Sequence, residues 1–245
     1  RPDNAGLSTG DIKIPTNDGS IPGYIAYPAS GSGHPIVLVV QEIFGVHEHI
    51  KDVCRRLAKT GYMAIAPDLY VRQGDVTTML DNKAILSEVV SIVPDQQVMS
   101  DLDAAAARAV REGGDKNRVG ITGFCWGGRI VWLYAAHNPA LKAGVAWYGP
   151  VDRGYGPSSA RTALDVADKI RAPILGLYGG ADAGISNLSV DNMRRALIKA
   201  GNTRSEIIIY ADTPHAFHAD YRPTYRKTEA ADGWRRLQGW FKKYL

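Results

Sequence analysis

The chain has 245 residues, of which 45% are hydrophobic and 22% are charged, and its formal net charge is +4 at pH 7. This composition allows one sizeable buried core. The basic residues are dispersed, and the pairs Arg235–Arg236 and Lys242–Lys243 fit the solvated face of an amphipathic helix, so we expect no nucleic-acid partner. No apolar run approaches the roughly 20 residues that span a membrane, so we expect no membrane partner either.

The sequence shows no obvious internal boundary. It contains no Pro/Gly/Ser linker, low-complexity run or internal repeat, which favours one domain over residues 1–245 rather than two small ones. Its two cysteines, Cys54 and Cys125, suggest no disulfide framework and favour a cytoplasmic location. Because the chain begins at Arg1 rather than at methionine, export with a cleaved signal is the alternative. We expect a monomer or a small homo-oligomer.

The first half of the chain alternates extended and helical patterns. Apolar segments on either side of Thr16–Gly19 predict an antiparallel hairpin. The β-branched run Ile36–Val40 is typical of a strand buried on both faces, and the loop Gln41–Gly45 follows it. Helical spacing begins at Ile50 and places Cys54 on the core face. The other predicted elements are the hairpin strands Asp11–Ile14 and Ile21–Tyr27, the strand Met63–Ala66, the loop Leu69–Asp75 and helical segments up to Glu112.

The second half repeats the alternation of strand and helix. The predicted strands are Val119–Thr122, Ala143–Trp147, Pro173–Tyr178 and Glu206–Tyr210. The predicted helices are Arg129–His137, a segment around Met193–Ala200 and a closing helix with Trp234, Leu237 and Phe241 on its inner face. This order predicts an α/β protein whose central sheet is mostly parallel and covered by helices on both faces. In such sheets the chemistry gathers at the carboxyl ends of the strands.

The pattern around Cys125 carries the strongest chemical signal. A short apolar strand, the pentapeptide Gly123–Gly127 and a helix follow one another, as in a G-x-S-x-G nucleophile elbow with cysteine at the centre. Glycines flank such a nucleophile because the turn is too tight for side chains. The amide dipoles of the following helix would favour a thiolate.

Two other interpretations of this pentapeptide exist. Cys125 could be a buried structural cysteine between packing glycines. Thr122, Gly123 and Gly127 also match the phosphate turn T-G-x-x-x-G of short-chain dehydrogenases. That turn belongs after the first strand and needs a further glycine where this chain has Arg129, so the mid-chain position argues against it.

A histidine and a carboxylate follow the elbow in the order that a catalytic triad would require. His215 comes directly after the last predicted strand, where the base of an elbow enzyme belongs, and His218 is its nearest rival. Asp182 follows the preceding strand, whereas Asp212 shares the histidine loop and fits a turn residue better. The order nucleophile, acid, histidine favours a catalytic over a structural Cys125.

The loop after Ile36–Val40 adds a fourth element, Glu42. In most proteins a carboxylate at such a position is a surface charge. Here the same loop should supply the second amide of an oxyanion hole, from Ile43, beside the amide of Trp126. We therefore expect Glu42 to lie close to the thiol of Cys125.

Taken together, these motifs resemble the dienelactone hydrolase (carboxymethylenebutenolidase-like) family. They run in the same order over almost the whole chain: QEIFG at 41–45, APDLYVRQ at 66–73, GFCWGG at 123–128, GGAD at 179–182 and HAF at 215–217. The resemblance implies an α/β-hydrolase fold and the hydrolysis of small-molecule enol lactones or esters. It implies neither a metal nor an organic cofactor.

The resemblance also implies roles for individual residues. It makes Cys125 the nucleophile, His215 the base, Asp182 the acid that orients it, and Glu42 the carboxylate that interacts with the resting thiol. Arg72 matches an arginine that binds a carboxylate of the substrate. Ala219 stands where a second such arginine is expected, which departs from the family pattern. The aromatic residues expected in the pocket wall are Tyr148, Phe44, Trp126 and Phe217.

The sequence therefore predicts a cysteine hydrolase that works through an acyl-enzyme on small esters or lactones, with Arg72 holding an anionic group. A general carboxylesterase with a loose apolar pocket is the alternative among enzymes. A different class also fits: a non-catalytic binding protein or thiol sensor on a hydrolase fold, in which Cys125 is a ligand contact or an oxidisable group.

Overall fold

The structure, a computed structural model, describes residues Pro2–Leu245. Over these residues the strands are β1 (Leu7–Thr16), β2 (Gly19–Pro28), β3 (Pro35–Val40), β4 (Met63–Pro67), β5 (Asp115–Phe124), β6 (Ala143–Trp147), β7 (Ile174–Gly179) and β8 (Glu206–Tyr210). They form a mostly parallel sheet in the order β1-β2-β4-β3-β5-β6-β7-β8, with helices on both faces. The predicted fold class is thereby confirmed.

The helices alternate with the strands, as the sequence predicted. They are α1 (Glu48–Lys59), α2 (Asn82–Ala84), α3 (Asp95–Arg111), α4 (Trp126–His137), α5 (Ala163–Val166), α6 (Asn187–Lys199) and α7 (Lys227–Tyr244). Single turns of 3₁₀ helix are formed by Val76–Thr78, Val90–Ile92 and Ala167–Lys169, and one of π-helix by Ile85–Val89. Within the described part of the chain, no helix is both long enough and apolar enough to cross a membrane.

The chain divides into two compact units. The first contains the residues up to Gly120 together with Tyr155–Ala160, and the second contains Ile121–Gly154 and Arg161–Leu245. A single domain over residues 1–245 stays a prediction.

The first unit is built on the predicted hairpin. β1 and β2 pair antiparallel along their whole length, β2 pairs antiparallel with β4, and β3 pairs parallel with β4. Every residue of β3 after Pro35 is buried, as expected for a strand covered on both faces. Cys54 lies on the buried face of α1, which confirms its predicted place in the core.

The second unit contains three parallel strands. β6 pairs with β7 and β7 pairs with β8, and β6 and β7 are buried along their whole length. The closing helix α7 buries Trp234, Leu237 and Phe241, which confirms the predicted inner face. Because these strands are parallel, the loops that follow them lie at one edge of the sheet. This edge carries the candidate active site.

Candidate active site

Cys125 occupies a strained turn between β5 and α4. Its φ is 58° and its ψ is −114°, a backbone conformation that costs a non-glycine residue roughly 1–3 kcal/mol. Its N–H donates to the carbonyl of Trp147 over 2.9 Å, and its own carbonyl accepts from the N–H of Gly128 over 2.9 Å. The turn is thus held on both sides of the cysteine. The residue is 8% exposed.

Helix α4 begins at Trp126, not at Arg129 as predicted. A Cβ atom added to Gly128 would lie 2.4 Å from the carbonyl oxygen of Trp147, so the first turn of α4 packs directly against the end of β6 only because residue 128 is glycine. Glycine is a poor helix former, so two glycines in succession made the predicted start too late. Tertiary packing outweighs propensity at this position.

His215 lies between the sulfur of Cys125 and the carboxylate of Asp182. Its Nε2 is 3.1 Å from Sγ of Cys125, and its Nδ1 is 2.5 Å from Oδ2 of Asp182. The side chain of Asp182 is 2% exposed and that of His215 is 29% exposed. A carboxylate at Nδ1 fixes the orientation of the imidazole and leaves Nε2 facing the sulfur.

The loop that carries Asp182 is tied to the histidine loop through the backbone. The N–H of Gly180 donates to the carbonyl of Tyr210 over 2.7 Å, and the N–H of Ala181 donates to that of Thr213 over 2.9 Å. Oδ1 of Asp182 accepts from the N–H of Gly184 over 2.9 Å, which leaves Oδ2 for His215. These bonds hold the carboxylate of Asp182 in position beside His215 without the help of a substrate.

The competing residues have other surroundings. Asp212 has a φ of 55° in the turn that precedes His215. His218 is 3% exposed and stacks on Phe124 and Trp234, at centroid distances of 5.2 and 5.8 Å. Asp212 therefore lies in a turn and His218 in an aromatic cluster.

The neighbours of His215 favour its charged form. Burial alone opposes a positive charge on the ring. Negative charge on the sulfur of Cys125 and the hydrogen bonds with Asp182 and Cys125 outweigh that effect, so the pKa of His215 is raised. An imidazolium beside sulfur stabilises a thiolate, which is the nucleophilic form of cysteine. At Cys54, by contrast, burial raises the pKa of the thiol, as is typical of an inert core cysteine.

Aromatic rings pack against the histidine loop. The rings of Tyr148 and His215 form a T-shaped contact at a centroid distance of 5.1 Å. Phe217 contacts Tyr148 and Trp147, at 5.2 and 6.0 Å. Trp126, Tyr148 and Phe217 are all buried. Their contribution to a substrate pocket stays a prediction.

Glu42, Ile43 and Phe44 belong to the first compact unit, in the loop after β3. Glu42 and its neighbour Gln41 are fully buried, and Ile43 is 8% exposed. The side-chain oxygen of Gln41 accepts a hydrogen bond from the N–H of Leu69 over 3.0 Å, which anchors the loop. A fully buried carboxylate differs from the surface charge that is usual at such a position. The proposed roles of these residues toward Cys125 stay predictions.

Arg72, also in the first unit, is held by two carboxylates. Its Nε and Nη2 donate to Asp18 over 2.8 and 2.9 Å, and its Nη1 and Nη2 donate to Asp101 over 2.7 and 3.1 Å. The hydrogen bonds with Asp18 and Asp101 raise the pKa of Arg72. Four of its five guanidinium N–H groups are thus engaged by protein carboxylates. No local sequence pattern indicated these two partners, which are distant along the chain.

Sequence reasoning also overlooked Tyr178, in β7. In a strand that is buried throughout, an aromatic residue indicates core packing and nothing more. The hydroxyl of Tyr178 nevertheless accepts a hydrogen bond from Nε1 of Trp132 over 3.0 Å and donates one to the carbonyl of Gly149 over 2.8 Å. The sequence held no signal for this pair of contacts.

Fold and site together define an α/β-hydrolase, and the comparisons with known proteins give the family. The sequence model of the dienelactone hydrolase family matches residues 21–245. The "Putative carboxymethylenebutenolidase" of Methylorubrum extorquens is 61% identical over 246 residues, which cover 99% of this chain and 83% of that protein. The protein of the same name from Escherichia coli (strain K12) is 54% identical over 244 residues, which cover 99% and 89%.

A solved structure agrees with these sequence relatives. The crystal structure of the "Putative Dienelactone Hydrolase" from Klebsiella pneumoniae subsp. pneumoniae MGH 78578 superposes with a TM-score of 0.94 at 52% identity, over 97% of this chain and 99% of that one. The chain belongs to the dienelactone hydrolase family, as its motifs predicted. It is a carboxymethylenebutenolidase-like lactone or ester hydrolase.

Proposed function

We propose that this hydrolase cleaves small esters or enol lactones through an acyl-enzyme, with Cys125 as nucleophile, His215 as general acid and base, and Asp182 as the carboxylate that orients His215. One observation carries the proposal: the two ring nitrogens of His215 contact Cys125 and Asp182, at 3.1 and 2.5 Å. Nucleophile and base within hydrogen-bond reach, with the base oriented by a third group, form the arrangement that covalent catalysis requires.

In the first half-reaction, the proton of the Cys125 thiol moves to Nε2 of His215. Sγ then attacks the acyl carbon as a thiolate, and the carbonyl π-electrons move to oxygen. When the tetrahedral intermediate collapses, the bond from carbon to the leaving oxygen breaks. Nε2 of His215 gives its proton to that oxygen. The product is a thioester on Cys125 and a free alcohol or enol; in a lactone, both ends stay in one molecule.

In the second half-reaction, Nε2 of His215 takes a proton from water, whose oxygen attacks the thioester carbon. The bond from carbon to sulfur then breaks and a carboxylic acid leaves. Cys125 departs as thiolate beside the imidazolium of His215, and return of the proton from Nε2 to Sγ restores the resting thiol. Asp182 stabilises the positive ring in both halves without taking a proton.

The developing oxyanion needs amide donors. Trp126 directly follows the nucleophile and is the first residue of α4, and in a nucleophile elbow the amide of that residue is one of the two oxyanion donors. This supports its N–H as one donor, and the family resemblance supports that of Ile43 as the second. The resemblance likewise supports Glu42 as the carboxylate that interacts with the resting thiol.

Two observations on the positions expected to bind a substrate carboxylate favour a broad substrate range. The guanidinium of Arg72 is already engaged by Asp18 and Asp101, and Ala219 replaces the second expected arginine. Both weaken the capture of a substrate carboxylate. A general carboxylesterase is therefore the second candidate, with Arg72 giving at most a modest preference for anionic esters.

Substitution of each cysteine tests the proposal. With p-nitrophenyl acetate and a small enol lactone as substrates, Cys125→Ala should remove hydrolysis while Cys54→Ala keeps most of it. Cys54 is the matched control because it is the other free cysteine, buried on α1. Parental activity in Cys125→Ala would overturn the mechanism.

A further inference from the structure

Tyr148 combines a strained backbone with a contact to the candidate base. Its φ is 36°, in a region that side-chain-bearing residues rarely adopt. Its ring is fully buried and makes a T-shaped contact with the ring of His215 at a centroid distance of 5.1 Å. Strain of this kind persists only where the surrounding structure over-determines the conformation. The contacts of residues 147–149 must therefore hold this conformation in place.

Three hydrogen bonds fix the backbone around Tyr148. The carbonyl of Trp147 accepts from the N–H of Cys125 over 2.9 Å, and the N–H of Tyr148 donates to the carbonyl of Leu177 over 2.7 Å. The carbonyl of Gly149 accepts from the hydroxyl of Tyr178 over 2.8 Å. Main-chain atoms alone make the first two bonds, whereas the third depends on a hydroxyl at residue 178.

Gly149 is also in direct contact with the helix that follows the nucleophile. A Cβ atom added to Gly149 would lie 2.2 Å from the backbone nitrogen of Arg129, and one added to Gly128 would lie 2.9 Å from that of Gly149. No side chain separates the two backbones. A shift of Gly149 would therefore be passed directly to the first turn of α4.

Tyr178 is itself fixed in position. Nε1 of Trp132 donates to its oxygen over 3.0 Å, which directs the hydroxyl proton of Tyr178 toward Gly149. Both side chains are almost completely buried. Burial raises the pKa of Tyr178, so the hydroxyl stays protonated and able to donate.

We propose that Tyr178 is a positioning residue for hydrolysis: its hydroxyl holds Gly149, and thereby the strained Tyr148, so that the Tyr148 ring keeps His215 aligned between Cys125 and Asp182. The inference rests on the proposed triad mechanism. Tyr178 acts on the reaction only through Gly149, by way of Tyr148 and of the first turn of α4.

Tyr178→Phe keeps the ring and removes only the hydroxyl. With p-nitrophenyl acetate, kcat should fall about tenfold, the scale of one buried hydrogen bond, while KM changes little. Alkylation of Cys125 by iodoacetamide should need a higher pH, because a less well aligned His215 stabilises the thiolate less. Unchanged kcat and an unchanged alkylation profile would overturn the positioning role.

Trp240→Phe is the matched control. It also removes one buried hydrogen bond from a side chain to a backbone carbonyl, that from Nε1 of Trp240 to Pro173 over 3.1 Å, just before the start of β7. We expect a lower Tm with parental kcat and alkylation profile. An equal loss of kcat in Trp240→Phe and Tyr178→Phe would reduce the effect to general destabilisation and overturn the inference.

Two further variants keep the test decisive. If Tyr178→Phe does not fold, Trp132→Phe tests the same chain of bonds, and a smaller fall in kcat is expected because the bond from Tyr178 to Gly149 survives; parental kcat would count against the proposal. Cys125→Ala distinguishes a failure of the triad mechanism from a failure of the positioning role. Residual hydrolysis there defeats the triad mechanism, whereas its loss together with a parental Tyr178→Phe defeats only the positioning role.

Discussion

Gly179 and Thr213 touch backbone to backbone: a Cβ atom on Gly179 would lie 2.3 Å from the carbonyl oxygen of Thr213. Gly179 ends β7, three residues before Asp182, and Thr213 lies two residues before His215. No larger residue at 179 would let the two loops approach so closely. The short distance between Asp182 and His215 follows from this contact.

The first prediction concerns Asp182. Asp182→Asn preserves the shape of the side chain but removes the charge that orients and stabilises a protonated His215. We expect kcat for ester hydrolysis to fall by about 10²–10⁴. Asp212→Asn is the control, because asparagine tolerates the left-handed backbone of that turn. Equal losses in the two variants would contradict the role given to Asp182.

The second prediction concerns the reactivity of the two cysteines. Iodoacetamide should modify Cys125 in the folded protein and leave Cys54 unmodified at neutral and mildly alkaline pH. Cys54 is fully buried and its thiol pKa is raised by that burial, whereas Cys125 lies beside His215. Peptide mapping by mass spectrometry measures both sites. Preferential modification of Cys54 would mean that the account of Cys125 is wrong.

The third prediction concerns Glu42, which is fully buried. If it neighbours Cys125 and keeps the resting thiol neutral, Glu42→Gln should change the pH dependence of alkylation at Cys125. Gln41→Glu is the control, because it changes the charge of the same loop at the buried residue next to Glu42. An unchanged profile in Glu42→Gln would mean that Glu42 has only a structural role.

The fourth prediction separates two roles of Arg72. Arg72→Ala leaves the carboxylate of Asp101, which is 2% exposed, without this ion pair, so the free energy of unfolding should fall by about 1–3 kcal/mol. The pair with Asp18 adds little, because that carboxylate is 64% exposed. Chemical denaturation measures this structural role. A parental free energy of unfolding would contradict it.

Kinetics measure the other role of Arg72. If Arg72 also holds a substrate carboxylate, Arg72→Ala should lower kcat/KM for anionic esters about ten- to a hundredfold more than for neutral esters of the same size. Asp18→Asn releases part of the guanidinium and should raise the preference for anionic esters. Equal losses for both types of ester would show that Arg72 is structural and that the substrate need not be anionic.

Local sequence signals predicted the buried strands well. Ala143–Trp147 and Glu206–Tyr210 have the predicted bounds, because a short run of strand-forming apolar residues marks each of them in the sequence. β5 begins earlier than predicted, at Asp115, because its first four residues are polar and carry no hydrophobic signal. The hydrophobic pattern thus locates the core and misses strand ends that extend into solvent.

The site was predictable only in part. The elbow and the order of Cys125, Asp182 and His215 follow from residues near the ends of predicted strands. The carboxylates that hold Arg72 lie 54 and 29 residues away along the chain, and Tyr178 lies 29 residues from Gly149. Contacts of this kind depend on how loops meet in three dimensions, which no local pattern encodes.

Direct observation of the acyl-enzyme tests the central claim. His215→Gln should slow deacylation, so that an acid-quenched reaction with p-nitrophenyl acetate accumulates one acetyl group per chain. Intact-protein mass followed by peptide mapping would locate that group. We predict a single acetyl thioester on Cys125 that is absent from the double variant His215→Gln with Cys125→Ala. The mechanism would be contradicted if the acetyl group that forms and is released during hydrolysis were found on any other residue.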